Sequence, residues 1–161
     1  MKIEQWDIDR VRPYERNPRR NDKAVQAVAE SIREFGFRQP IVVDGDGVIV
    51  VGHTRYKAAL KLGLKTVPVH VAADLTPQQA RAYRLADNRT AENAEWDVDL
   101  LPIELGELRE GGFDLKLAGF SDKELAEYLR EFDTDLEDGD AEADAADTVR
   151  CPKCGHEFPV E

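Results

Sequence analysis

The sequence predicts an α+β chain, with a small sheet and packed helices over residues 1–72 and a helical extension over 73–132. Three observations carry that expectation. Short β-branched runs at 40–43, 48–51 and 66–71 are punctuated by turn residues. Amphipathic stretches at helical spacing lie between those runs. From Thr76 onward only helix starts and stops recur.

Residues 2–7 alternate as a short strand does. The segment VRPYERNPRR that follows has two prolines and, with Arg10, five arginines (Arg10, Arg12, Arg16, Arg19, Arg20), and reads as an irregular arm. Asn21 or Asp22 can cap the next helix, whose apolar positions Val25, Val28, Ile32 and Phe35 recur at helical spacing and whose stop is Gly36. The run QPIVV ends at Asp44-Gly45-Asp46-Gly47, a strong turn signal, and VIVV follows, so 40–51 reads as a β-hairpin. Gly52 leads directly into a short helix marked by Tyr56, Ala59 and Leu60 and stopped at Gly63, and TVPVHVA is a further strand. Thr76-Pro77-Gln78-Gln79 is a capping box with proline at the first helical position. A second helix covers about 97–110, and a third starts at the capping box Ser121-Asp122-Lys123-Glu124. After Phe132 the acidic, alanine-rich stretch reads as a disordered linker over 133–148. Residues 149–161 form a separate cysteine knuckle.

The composition narrows the function classes. At 161 residues and 42% hydrophobic, the chain has enough apolar mass for one packed core with appendages. No apolar run approaches the roughly 20 residues that cross a bilayer, and the N-terminus carries acids where a signal peptide is apolar, so a soluble, cytoplasmic protein is expected. The net charge of -11 is unevenly divided. Residues 1–65 carry 13 basic against 9 acidic side chains, 66–132 carry 7 against 14, and 133–147 carry eight acids and no base. A mildly cationic first half with an acidic tail excludes a protein that coats DNA by charge alone.

The sharpest chemical feature is the strand-to-helix junction Val50-Val51-Gly52-His53-Thr54-Arg55-Tyr56-Lys57. The first N–H groups of a helix have no partner inside it, and the helix dipole puts partial positive charge there. Gly52 permits close approach to the backbone, Thr54 can donate a hydroxyl hydrogen bond, Arg55 offers a planar fork, and Lys57 adds a point charge. Together these are the parts of an anion site. On spacing alone, a glycine entering a basic helix is more often a plain turn. His70, between Val69 and Val71, reads as structural. Asp87 and Glu92 read as helix-surface carboxylates before metal ligands.

The stretch from the arginine arm to residue 71 resembles the ParB N-terminal domain of the ParB/sulfiredoxin superfamily. The resemblance rests on the arm, Ser31-Ile32 with Gly36, Gln39-Pro40-Ile41-Val42-Val43, the hairpin, and Gly52-His53-Thr54-Arg55-Tyr56-Lys57-Ala58 before an apolar strand. It implies a ParB/sulfiredoxin-like mixed sheet and a nucleotide pocket for CTP or ATP with Mg²⁺. It places Gly52, His53, Thr54, Arg55 and Lys57 at the phosphates, and Gly36 and Gln39 at the segment facing the nucleotide. His53 and Thr54 stand where the family motif has Glu and Arg, so the resemblance implies altered triphosphate contacts. His53 also replaces the cysteine of sulfiredoxins, which excludes their redox chemistry. The partition proteins' E-N-x-x-R motif is missing after the last strand, and Asp87-Asn88-Arg89 is a candidate replacement.

The acidic helices after residue 76 show no basic recognition helix, so no helix-turn-helix is expected. Residues 75–97 resemble ParB-like domains of phages and mobile elements found beside DNA methyltransferases. The leading expectation is a nucleotide-responsive, DNA-associated protein in a partition-like or DNA-modification role, binding DNA weakly or through a partner such as a methyltransferase. A phosphotransferase or NTPase on the same pocket, with Glu30, Glu34 or Asp87 as base, is the alternative, and a nuclease ranks below it. At the end of the chain, Cys151-Pro152-Lys153-Cys154-Gly155-His156 has the spacing of half a zinc ribbon. Cys151 and Cys154, with His156 as a candidate third ligand, are either a Zn²⁺ site completed by a second chain, as in a homodimer, or by a partner, or half of a lost ribbon.

Overall fold

The computed structural model describes residues 1–139, 148–150 and 157–159. Its centre is a four-stranded sheet in the order β1-β4-β2-β3, built from β1 (Glu4–Asp7), β2 (Ile41–Val43), β3 (Ile49–Val51) and β4 (Thr66–Val71). β1 runs antiparallel to β4, β4 parallel to β2, and β2 antiparallel to β3, so the sheet is mixed. The apolar alternation sets the buried face: Ile41 and Val43 of β2 and Val67 and Val69 of β4 are fully buried. Trp6, Ile8, Val11, Ile49 and Ala59 complete this core. The helices α1 (Val25–Phe35) and α2 (His53–Lys61) pack against each other beside the sheet.

The start of α1 differs from the sequence expectation. Residues Asp22–Ala24 form a 3-10 turn ahead of the helix, and Asn21 makes no capping hydrogen bond. Its amide is held instead by two residues of α2, a tertiary demand that outweighs the local one.

The helices beyond the sheet begin where their caps are. In α3 (Pro77–Ala91) the Gln79 N–H donates to Thr76 Oγ1 and the Thr76 N–H to Gln79 Oε1, which closes the capping box. Residues 97–99 lie ahead of α4 (Leu100–Glu110) in a turn where Asp97 Oδ1 accepts the N–H groups of Asp99 and Leu100. Ser121 and Glu124 exchange the same pair of bonds at the head of α5 (Asp122–Gly139). A 3-10 turn at Leu115–Ala118 joins α4 and α5 around a second core of Leu101, Leu105, Leu115 and Leu125. Phe113 stacks on Phe35 of α1 with ring centroids 6.0 Å apart and ties this unit to the first.

α5 continues to Gly139, past Phe132, so residues 133–139 of the expected disordered linker are helical, and residues 140–147 lie outside the described residues. Beyond it β5 (Thr148–Arg150) and β6 (Glu157–Pro159) pair antiparallel. Cys151, Cys154 and His156, the expected zinc ligands, lie outside the described residues. Among the described residues no helix is long and apolar enough to cross a membrane.

Candidate nucleotide-binding site

β3 leads into α2 through an irregular register: Val42 pairs with Val51 but Val43 with Ile49. Such irregularities re-aim a strand end and are frequent beside functional sites. Gly52 follows in the left-handed region at φ 106°, and its carbonyl accepts the Tyr56 N–H at 2.9 Å, closing the first turn of α2. A Cβ at this position would lie 3.3 Å from Arg55 Nε and 3.4 Å from Ile41 Cα. Both conformation and space therefore call for glycine.

The junction opens on a cavity of about 600 Å³. Val28, Ile32 and Phe35 of α1, with Phe37, Val50 and Val51, give it an apolar wall. Gly52, His53, Thr54 and Arg55 line it from the head of α2, and Gly36 and Gln39 from the α1–β2 connection. Six of the seven expected residues are thus brought together. The seventh, Lys57, is not among the lining residues, and its Nζ is bonded to Asp22 Oδ1 at 2.7 Å and to Asn21 Oδ1 at 2.9 Å. Those two bonds hold its ammonium toward the start of α1.

Each polar group has a definite state. Arg55 Nη1 donates to Gln39 Oε1 at 3.0 Å. Burial pushes the Arg55 pKa down and nearby Asp87 pushes it up, but a guanidinium remains cationic throughout. His53 is pushed down to about 4 by burial first, then by the charges of Arg84 and Lys57, so it is neutral near pH 7. Its Nε2 accepts the Tyr14 backbone N–H at 3.3 Å, which assigns the ring proton to Nδ1. Thr54 Oγ1 accepts from Asn21 Nδ2 at 2.8 Å.

Residues outside those seven, among them Asn88 of the candidate replacement Asp87-Asn88-Arg89, close the rest of the cavity. Asn17, Arg19 and Asn21 line it from the arm, Ser31 and Arg38 from around α1, and Asn88 from α3. Arg19 is tied across to α3 by Glu92, at 2.8 Å, and Glu92 also holds Arg89 at 3.1 Å. The anchor of this wall is Arg84. It is buried, with Nε donating to the Ile49 carbonyl at 2.9 Å and Nη2 to Asp44 Oδ2 at 3.1 Å. Its guanidinium lies 4.1 Å from the Tyr14 ring centroid, a cation–π contact that fixes the arm to the same post. The only signal for it was its place four residues after buried Ala80, on the same helix face. Among the described residues no group of three or more His, Cys, Asp or Glu side chains is placed to hold a metal. An anion at the head of α2 would meet backbone N–H groups, the Thr54 hydroxyl and the Arg55 fork, with an apolar wall beside it.

Comparison with known proteins accounts for this architecture. The family model of the ParB N-terminal domain matches residues 1–89, and that of the ParB-methyltransferase HTH domain matches residues 99–154. The second match corrects the expectation that the chain lacks a helix-turn-helix. Such a motif is set by how helices pack about a small core and not by basic composition, and the described part of this span holds α4 and α5 packed on Leu101, Leu105, Leu115 and Leu125. The chromosome-partitioning protein Spo0J of Thermus thermophilus is 40% identical over 99 residues, covering 58% of this chain and 34% of that protein. The ParB-like nuclease domain-containing protein YnaK of Escherichia coli is 36% identical over 80 residues, covering 49% of this chain and 92% of that protein. The chain thus spans about a third of the length of that partition relative. The crystal structure of the C-terminally truncated chromosome-partitioning protein ParB from Caulobacter crescentus, complexed with CTP-γ-S, superposes with a TM-score of 0.67 at 25% identity. It covers 89% of this chain and 88% of that one. The chain belongs to the ParB family, with a ParB N-terminal domain followed by an HTH domain of the ParB-methyltransferase type.

Proposed function

We propose that this chain is a nucleotide-responsive, DNA-associated protein that binds a nucleoside triphosphate in the cavity at the head of α2. The observation that carries the reading is the convergence of a helix N-terminus, the Thr54 hydroxyl and the Arg55 guanidinium on one cavity with an apolar wall. Phosphates take the polar end, where backbone N–H groups and the Arg55 fork favour negative charge. The base takes the wall formed by Val28, Ile32 and Phe35. Neutral His53 serves as a donor through Nδ1 and not as a fixed cation. Mg²⁺ enters with the phosphates, which commonly supply several of its oxygen ligands. Lys57 acts through Asn21, whose amide oxygen it holds. The complex of the Caulobacter protein with CTP-γ-S supports this reading, because that protein shares the fold across most of both chains. The partition proteins among the relatives and the match of residues 99–154 support a role on DNA, with the helical unit making the contact.

Calorimetric titration of the full chain with ATP, CTP, GTP and UTP in Mg²⁺ tests the proposal. At least one triphosphate is expected to bind. Arg55→Ala, which removes hydrogen bonds to a charged group worth about 1.5–3 kcal/mol, is expected to weaken it tenfold or more with the circular dichroism spectrum unchanged. Binding of none of the four, or equal affinity in Arg55→Ala, would move the site elsewhere.

A further inference from the structure

We propose that Asn21 is a positioning residue that orients the Thr54 hydroxyl to donate its proton to a phosphate oxygen of the ligand. The inference rests on the nucleotide reading above and specifies how that site is organised. Asn21 is only 8% exposed and lines the cavity, yet it makes no capping hydrogen bond at the start of its own helix. Both ends of its amide are committed across the fold. The Lys57 ammonium can only donate, so it selects the amide oxygen, and Nζ lies 2.9 Å from Asn21 Oδ1. Lys57 is itself anchored by Asp22 at 2.7 Å. The amide nitrogen is thereby turned toward Thr54, and Nδ2 donates to Oγ1 at 2.8 Å.

The consequence for Thr54 follows from valence. A hydroxyl has one proton and two lone pairs. With a lone pair engaged by Asn21, the proton must go to another acceptor, and among the described residues none is bonded to it. A threonine in mid-helix commonly gives that proton to the carbonyl four residues back. Thr54 is the second residue of α2, and the residue four back, Val50, belongs to β3. The free proton is therefore available at the cavity, beside the helix-head N–H groups, for which the helix itself supplies no partner. A phosphate oxygen is an acceptor and only an acceptor, so it fits the donor this chain of bonds leaves. The charge of Lys57, withdrawn from the cavity, acts by fixing which way the amide faces.

A coupling experiment on the full chain tests this. Dissociation constants for whichever of the four triphosphates the wild-type chain binds are measured for Asn21→Ala, Thr54→Val and the double variant, with thermal melts to correct for stability. Asn21→Ala is expected to weaken binding about fivefold to tenfold in the wild-type background and to have no further effect on Thr54→Val. In a Thr54→Ser background, which keeps the hydroxyl, the cost of Asn21→Ala is expected to return. A merely structural Asn21 would show the same loss in every background, and that result would overturn the proposal, as would wild-type affinity in Thr54→Val. If the wild-type chain binds none of the four, the nucleotide reading falls and this proposal with it. That outcome is distinct from binding without coupling, which overturns this proposal alone.

Discussion

Replacing Gly52 by alanine probes the site where backbone conformation and ligand approach meet. Gly52 has φ 106°, a region in which an L-residue costs about 1–2 kcal/mol. The added methyl would also sit 3.3 Å from Arg55 Nε, 3.4 Å from Arg55 Nη2 and 3.4 Å from the Ile41 α-carbon. The Arg55 side chain can give way, but Ile41 is fully buried backbone in the centre of the sheet and cannot. Adding the tight contact to the conformational cost gives a destabilisation of about 2–3 kcal/mol, or roughly 5–10 °C in melting temperature for a chain of this size. Two other glycines separate the contributions. Gly63 has φ 69° with nothing within 4 Å of an added Cβ, so Gly63→Ala reports the conformational cost alone, about 1 kcal/mol. Gly45 has neither a positive φ nor a neighbour within 4 Å, and Gly45→Ala is expected to change stability by no more than about 0.5 kcal/mol. Urea denaturation of the three variants should rank them in that order. At temperatures where each is folded, only Gly52→Ala should also lose triphosphate affinity, by tenfold or more, because the methyl covers the approach to the helix head and displaces Arg55. Equal stability of the Gly52 and Gly63 variants, together with wild-type affinity in Gly52→Ala, would refute the reasoning.

Two further outcomes follow from the groups around the cavity. His53 is held at about 4, below its usual value, so in acid the unfolded chain takes up a proton that the folded chain refuses. The contribution of His53 to stability is therefore complete above about pH 6.5 and is lost as pH drops from there toward 4, by on the order of 1–2 kcal/mol after allowance for partial solvent screening. His53→Gln is expected to flatten that limb in denaturation curves at pH 7 and 4.5, and an unchanged slope would count against a neutral, buried imidazole. Arg84→Met strands the Asp44 carboxylate and the Ile49 carbonyl, at a cost of about 3 kcal/mol in urea denaturation. Because Arg84 is one of the charges depressing His53, the same variant should let the His53 pKa rise in an NMR titration.

The sequence by itself determined the features that depend on near neighbours along the chain. The turn at residues 44–47 places Asp44 Oδ1 to accept the N–H groups of Asp46 and Val48, two and four positions on. The capping boxes at Thr76 and Ser121 each span four residues. The alternation that buries Ile41 and Val43, and the entry of a glycine into α2, are equally local. The sheet, the helices and the candidate phosphate end were therefore legible in the order of residues alone. Tertiary structure decided the rest, because it depends on which residues distant in sequence come within about 3 Å. Asn21 and Thr54 are 33 positions apart, Arg84 and Asp44 are 40, and His53 and Tyr14 are 39. No local rule assigns the His53 proton to Nδ1, ties Lys57 to Asn21 and Asp22 or makes a helix arginine the post on which the arm is hung. The helical unit teaches the same lesson. Its acidic composition argued against a helix-turn-helix, whereas the packing of Leu101, Leu105, Leu115 and Leu125 is indifferent to the charge on the exposed faces, since only the buried contacts set how the helices cross.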